Sequence, residues 1–424
     1  MDRLAQATSS TRASVIRNGV LPLVLVVSLF FLWGVANNLN DILIRQFKKA
    51  FELTDFQSGL VQSAFYLGYF LFAIPAGLVM RKYGYKAGIV LGLVLYGSGA
   101  LLFFPAAQLR TYGFFLSALF VIASGLSFLE TSANPFVTVL GPPEGAERRL
   151  NFAQAFNPLG SIAGVGIGRV FIFSSTDYTA AQVAAMPNAA RNAYHAAQSS
   201  AVQMPYVIIG VVVLVLALVF MVTPFPIAHG ASTSDTDEAK WRQLLTRPRL
   251  FMAVAAQFFY VGAQVGVWSY LIRYAEGTIP GTADRAAADY LLISLVLFMV
   301  GRFVGSVLMR VIAPAKLLAA FAALNALLAM IAIARPGPVG LVALIGVSFF
   351  MSVMYPTIFA LGVQGLGEVR KLASSALVMA IVGGAVLTPA MGALSGVAGI
   401  QWAMSIPVIC FGIVLAFALR VART

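Results

Sequence analysis

The sequence predicts an all-α polytopic membrane protein with twelve transmembrane helices in two six-helix halves. Three observations predict it. Of 424 residues, 60% are hydrophobic and only 10% charged, where a soluble domain carries about 25% charged residues. Apolar runs long enough to cross a bilayer, about 20 residues each, recur from Val20 to Leu419. The second half also repeats landmarks of the first. Phe30-Phe31, Gly34 and Leu43-Ile44-Arg45 return 228 positions later as Phe258-Phe259, Gly262 and Leu271-Ile272-Arg273. Pro135 with Leu140-Gly141 returns 221 positions on as Pro356 with Leu361-Gly362, and Arg149-Leu150 returns 222 on as Lys371-Leu372. A nearly constant offset implies two parallel repeats, which enclose a substrate site near mid-membrane.

The spans fall near residues 20–45, 56–80, 87–107, 112–140, 149–174, 203–224, 248–275, 286–310, 315–334, 338–363, 371–395 and 398–420. The first follows a basic segment, MDRLAQATSSTRASVIRNG, and runs past 20 residues into polar ones, so it reads as an uncleaved span rather than a signal peptide. A polar break containing ASTSDTDEAKWRQ makes residues 226–249 a linker between bundles 1–225 and 250–424. A second polar, alanine-rich stretch from Ser174 to Gln203 reads as a loop. Lys and Arg divide eighteen against eight between the two sides, which puts both termini in the cytoplasm. The net charge of +13 sits in short loops, as membrane anchors do, and speaks against nucleic acid as a partner. The single cysteine, Cys410, excludes an intrachain disulfide and reads as a packing or lipid-facing residue. His195 and His229 both fall in expected loops. No HExxH, GxSxG or phosphate-loop pattern is present, so neither an enzyme nor a metal or cofactor site is expected.

Chemistry is expected where the membrane would exclude it. Of fifteen acidic residues, only Asp41 and Glu130 lie away from tails, loops and helix ends. Burial disfavours the charged form of a carboxylate, and a group so placed can take up and release a proton. Structural hydrogen bonding between helices is the alternative. On a helix Trp33, Asn37 and Asp41 recur every four residues, with Asn38 and Asn40 flanking, so this stripe must line a polar cavity. Asp41 lies in the outer half of the first span and Glu130 deeper, a spacing that suits a proton path. Further amides repeat the signature: Asn134 four residues after Glu130, Gln154 with Asn157 on the fifth span, and Gln257, Gln264 and Trp268 along one stripe of the seventh. Amides donate and accept, which suits hydroxyl-rich ligands, and Trp rings stack on sugar C–H faces. Amides serve equally as glue between membrane helices. Arg302, inside the eighth span, and Arg169, inside the fifth, each pair with a buried carboxylate or cap helix carbonyls; Arg169 also has the outer interface within reach.

The segments ANNLNDILIRQF, IPAGLVMRKYGYKAGI, LETSANPFVTVLGP, RLNFAQAFNPLGS, YVGAQVGVWSYLIRYA and MYPTIFALG carry a resemblance. From about Leu25 to Leu419 the chain resembles the sugar:proton symporter branch of the major facilitator superfamily. That branch holds the L-fucose permeases and glucose/galactose transporters; ANNLND and LETSANP look nearer to the fucose permeases. The resemblance implies the major facilitator fold, with Asp41 and Glu130 as the two coupling carboxylates. It implies that Trp33, Asn38, Gln154, Asn157, Trp268, Arg302 and Tyr355 face the central cavity. The chain is expected to be a monomer in a bacterial inner membrane. In GLVMRKYGYK, Met80 stands near the place of the acid that the superfamily's loop motif normally carries, a departure from the residues of the usual charge lock. The expected activity is proton-coupled import of a monosaccharide by alternating access, with sugar, protons and the lipid bilayer as partners. A sodium-coupled or uncoupled sugar carrier is the nearest rival. A multidrug:proton antiporter fits the clustered amides less well, and a sugar-sensing receptor is the non-transport alternative.

Overall fold

The computed structural model describes residues 24–36, 39, 50, 51, 55–140, 142–167, 171, 182, 183, 185–224, 247–280 and 284–423. In chain order the helices are α1 (Val24–Ala36), α2 (Asp55–Leu101), α3 (Phe103–Leu109), α4 (Tyr112–Val139), α5 (Ala146–Gln154), α6 (Phe156–Ile167), α7 (Asn188–Ser200) and α8 (Gln203–Val222). They continue with α9 (Pro248–Thr278), α10 (Asp284–Leu308), α11 (Pro314–Ala334), α12 (Pro338–Met351), α13 (Met354–Val363), α14 (Arg370–Met379), α15 (Gly383–Ala398) and α16 (Ser405–Ala422).

Among the described residues, nine helical segments are long and apolar enough to cross a membrane. One of them, Ala64–Leu109, has 46 residues. At about 1.5 Å per residue that is roughly twice the ~30 Å hydrocarbon thickness. Gly84, with φ 85° and ψ 173°, interrupts it and separates the expected second and third spans. The nine segments thus hold ten of the twelve expected spans. The other two are described in part, as α1 and as α5 with α6. The stretch read as a second loop differs from expectation, because residues 188–200 form α7 and carry His195. Its sequence, NAARNAYHAAQSS, is rich in alanine, which favours helix even where no long apolar run is present.

The described residues fall into two compact units. One lies within Met1–Ala133 and Leu159–Ile227, the other within Asn134–Pro158 and Ala228–Thr424. In the first, α2 packs along α8. In the second, α9 packs on α15 and α16, α11 on α12 and α16, and α5 on α10 and α13.

The two repeats share a backbone contact. A Cβ at Gly160 would collide with the carbonyl of Phe31, and one at Gly383 with the carbonyl of Phe258. Both pairs join corresponding helices, α1 with α6 and α9 with α15. Only glycine lets two backbones approach this closely.

Two expectations about single residues resolve here. Cys410 is buried, so it packs rather than facing lipid. Met80 is fully buried too, and Lys86, a few residues beyond it, donates to the carbonyls of Met221 and Thr223 at 2.7 and 3.0 Å. The cation therefore caps the C-terminal end of α8, where carbonyls lack helical partners.

Candidate functional site

Within the first unit, three helices carry two linked aromatics and a buried carboxylate. Trp33 on α1 is buried, stacks on Phe30 at a centroid distance of 5.7 Å, and its indole N–H donates to the Tyr69 hydroxyl on α2. Tyr69 is only 3% exposed, lies 5.3 Å from the Phe65 ring, and accepts the Ser127 hydroxyl at its backbone carbonyl, 2.9 Å. Glu130 on α4 is equally buried and interacts electrostatically with Tyr69. Ser127 and Glu130 lie three residues apart and so share a helix face. Sequence reasoning singled out Trp33 and Glu130 but missed Tyr69. In the run YLGYFLF it looks like any aromatic of an apolar span. Asn37, Asn38, Asp41 and Arg169 lie outside the described residues.

Within the second unit the amides gather around the end of α5. The Gln154 side chain donates to Asn134 Oδ1 at 2.9 Å, which pairs two residues that the sequence offered separately. The remaining Asn134 Nδ2 is buried with no hydrogen-bond partner among the described residues. Asn157, three positions past Gln154, is half-buried. Trp268 on α9 donates its indole N–H to Ser348 at 3.0 Å and meets Phe298 edge-on at 4.9 Å. Ser348 is in turn hydrogen-bonded to Ser294, so the indole is held from behind. Gln264 is half-buried on the same helix. Gln257 is fully buried, with neither amide atom hydrogen-bonded among the described residues. Tyr355 is buried, its ring 6.4 Å from that of Tyr260, whose hydroxyl donates to the Met351 carbonyl at 3.0 Å.

Of the two readings left open for Arg302, the geometry shows carbonyl capping. Its Nε donates to the Ser352 carbonyl at 2.8 Å and Nη1 to the Gln154 carbonyl at 2.5 Å. The guanidinium lies 4.7 Å from the Phe298 ring centroid.

One polar cluster went unpredicted. Asn151, fully buried on α5, donates to Thr357 Oγ1 at 3.0 Å, to the Glu147 carbonyl at 2.9 Å and to Met309 Sδ at 3.5 Å. Beside it, burial pushes the Glu147 carboxyl above its usual range, and the Arg149 and Arg249 cations pull it back part of the way. Arg149 is itself engaged with the carbonyls of Thr138 and Pro142, at 3.0 and 2.7 Å. In sequence, Asn151 sits at the start of the fifth expected span, and its partner Thr357 lies 206 residues away.

The model of the Major Facilitator Superfamily matches residues 23–389. The chain is 48% identical over 408 residues to the L-fucose-proton symporter of Escherichia coli K12, covering 95% of this chain and 93% of that protein. It is 37% identical over 410 residues to a glucose/galactose transporter of Brucella abortus, covering 96% of each. Among solved structures it is similar to that of a Major Facilitator Superfamily transporter, FucP, in the outward conformation. The TM-score is 0.90 at 48% identity, over 96% of this chain and 100% of the other.

Proposed function

Because the chain belongs to the major facilitator superfamily, we propose that it is a proton-coupled symporter that imports a hexose, L-fucose or a close relative. The observation that carries this reading is Glu130. It is a carboxylate buried in a membrane-length helix, in electrostatic interaction with Tyr69, in a chain similar to a protein named as a proton symporter. A buried carboxylate is costly when charged and inexpensive when protonated, so the loaded carrier is able to close only with the proton aboard. Asp41 is the outer of the two coupling groups. The sugar is held by Trp33, Asn37 and Asn38 of the first span, Asn134, Gln154 and Asn157, then Gln257, Gln264, Trp268 and Tyr355. The bundles 1–225 and 250–424, joined by the cytoplasmic linker 226–249, rock about the site in a bacterial inner membrane.

Asp41→Asn tests the coupling half of the proposal. The amide carries no proton, so proteoliposomes bearing this variant should fail to concentrate L-fucose under an imposed pH gradient. Accumulation at the rate of the unaltered protein would sink the assignment. The similarity to a glucose/galactose transporter favours a second reading, a sodium-coupled or uncoupled carrier. The same vesicles with sodium as the only gradient decide between them.

The sugar half is read from the amides. Gln154→Ala should weaken L-fucose binding by about 1–3 kcal/mol, the range for leaving a buried polar partner unpaired. Asn157→Ala should cost less, because Gln154 also orients Asn134. Equal affinities in both variants and the unaltered protein, by titration calorimetry, would return these amides to the role of helix glue.

A further inference from the structure

Two of the spans are broken just ahead of a proline. The fifth ends α5 at Gln154 and resumes as α6 at Phe156, and the tenth ends α12 at Met351 and resumes as α13 at Met354. The cause is written in the sequence. Pro158 and Pro356 each lack the N–H that would bond the carbonyl four residues back, and each ring pushes that carbonyl aside. The two carbonyls so released belong to Gln154 and Ser352. In a hydrocarbon environment a backbone carbonyl left without a donor is costly. These are the two carbonyls that Arg302 takes, through Nη1 and Nε of one guanidinium buried on α10.

Resting on the hexose reading above, we infer that Arg302 is a positioning residue. It replaces the hydrogen bonds deleted by Pro158 and Pro356, and thereby fixes Asn157 and Tyr355, the residues directly ahead of those prolines. A break without a cap is a hinge, and α6 and α13 would swing on α5 and α12. With both carbonyls held by one rigid planar fork, the two hinges are set together. Lysine, with a single ammonium on a flexible stem, does not match that fork. The ring of Phe298, under the guanidinium at 4.7 Å, keeps the fork in plane.

Restoring the missing N–H groups separates this role from direct sugar contact. In Pro158→Ala/Pro356→Ala the helices can bond their own carbonyls, so Arg302 becomes dispensable. Arg302→Met should lower L-fucose affinity about tenfold in the proline-containing protein, the scale of one lost hydrogen bond to a charged group. In the double-alanine background it should lower affinity less than twofold. Hydrogen exchange of the sugar-free protein gives a second readout. Amides across residues 154–160 and 352–358 should exchange faster in Arg302→Met and regain protection in the double-alanine background. A tenfold loss that persists in that background, with unchanged exchange, would mean the guanidinium touches the sugar itself and would overturn the proposal. If the unaltered protein binds neither L-fucose nor D-galactose, the hexose reading fails, and the exchange result alone decides the clamp. Should Arg302→Met yield no folded protein, its recovery in the double-alanine background supports the clamp and its failure there refutes it.

Discussion

Glu130→Gln should retain exchange of external for preloaded internal sugar while losing accumulation driven by a proton gradient. The glutamine mimics the protonated carboxyl in shape and hydrogen bonding but has no proton to give. Exchange needs the loaded carrier to reorient in both directions, and no net proton movement. Accumulation needs the empty carrier to return after releasing its proton, a step the amide cannot perform. Glu130→Ala should lose exchange as well, because it also removes the hydrogen-bonding group that glutamine keeps. Counterflow of labelled L-fucose in proteoliposomes checks both variants. Loss of exchange in the glutamine variant, with the protein folded, would make Glu130 a sugar ligand that needs its charge.

Gly383→Val should abolish recovery of folded protein, and Gly160→Val should do the same. Each side chain would have to occupy the space of a backbone carbonyl, that of Phe258 or Phe31. Overpacking costs about 1–3 kcal/mol where side chains can yield, and here the obstacle is main chain on a neighbouring helix. Gly396→Ala, on α15 like Gly383, is the control, since nothing lies within 4 Å of the added carbon. Monodisperse yield and the melting temperature in detergent compare the three. A stable Gly383→Val protein would mean that the two helices separate more readily than their contact implies.

Most of the fold was legible because the bilayer leaves few solutions: long apolar runs must be helices, and their spacing gave the segments now described. Residues 188–200 were read as loop because a short polar helix lacks the long apolar run that identifies the others. The site was legible where polarity is conspicuous against hydrocarbon, as at Glu130, Gln154 and Arg302. It was not legible where the decisive residue has an ordinary identity. Tyr69 is one more aromatic in an aromatic run, and Asn151 depends on Thr357, a distant partner that only the folded chain brings near. The pairing of Gln154 with Asn134 is of the same kind, since spacing alone places each amide on a face but does not join the faces.

The buried thiol of Cys410 has a practical consequence. As the chain's single cysteine, and 1% exposed, it should react slowly with bulky maleimides. A cysteine introduced at a chosen position can then carry a fluorophore or spin label with little background from the native thiol. Pairs of such labels, one in residues 1–225 and one in 250–424, would report distances through the transport cycle without first removing the native residue.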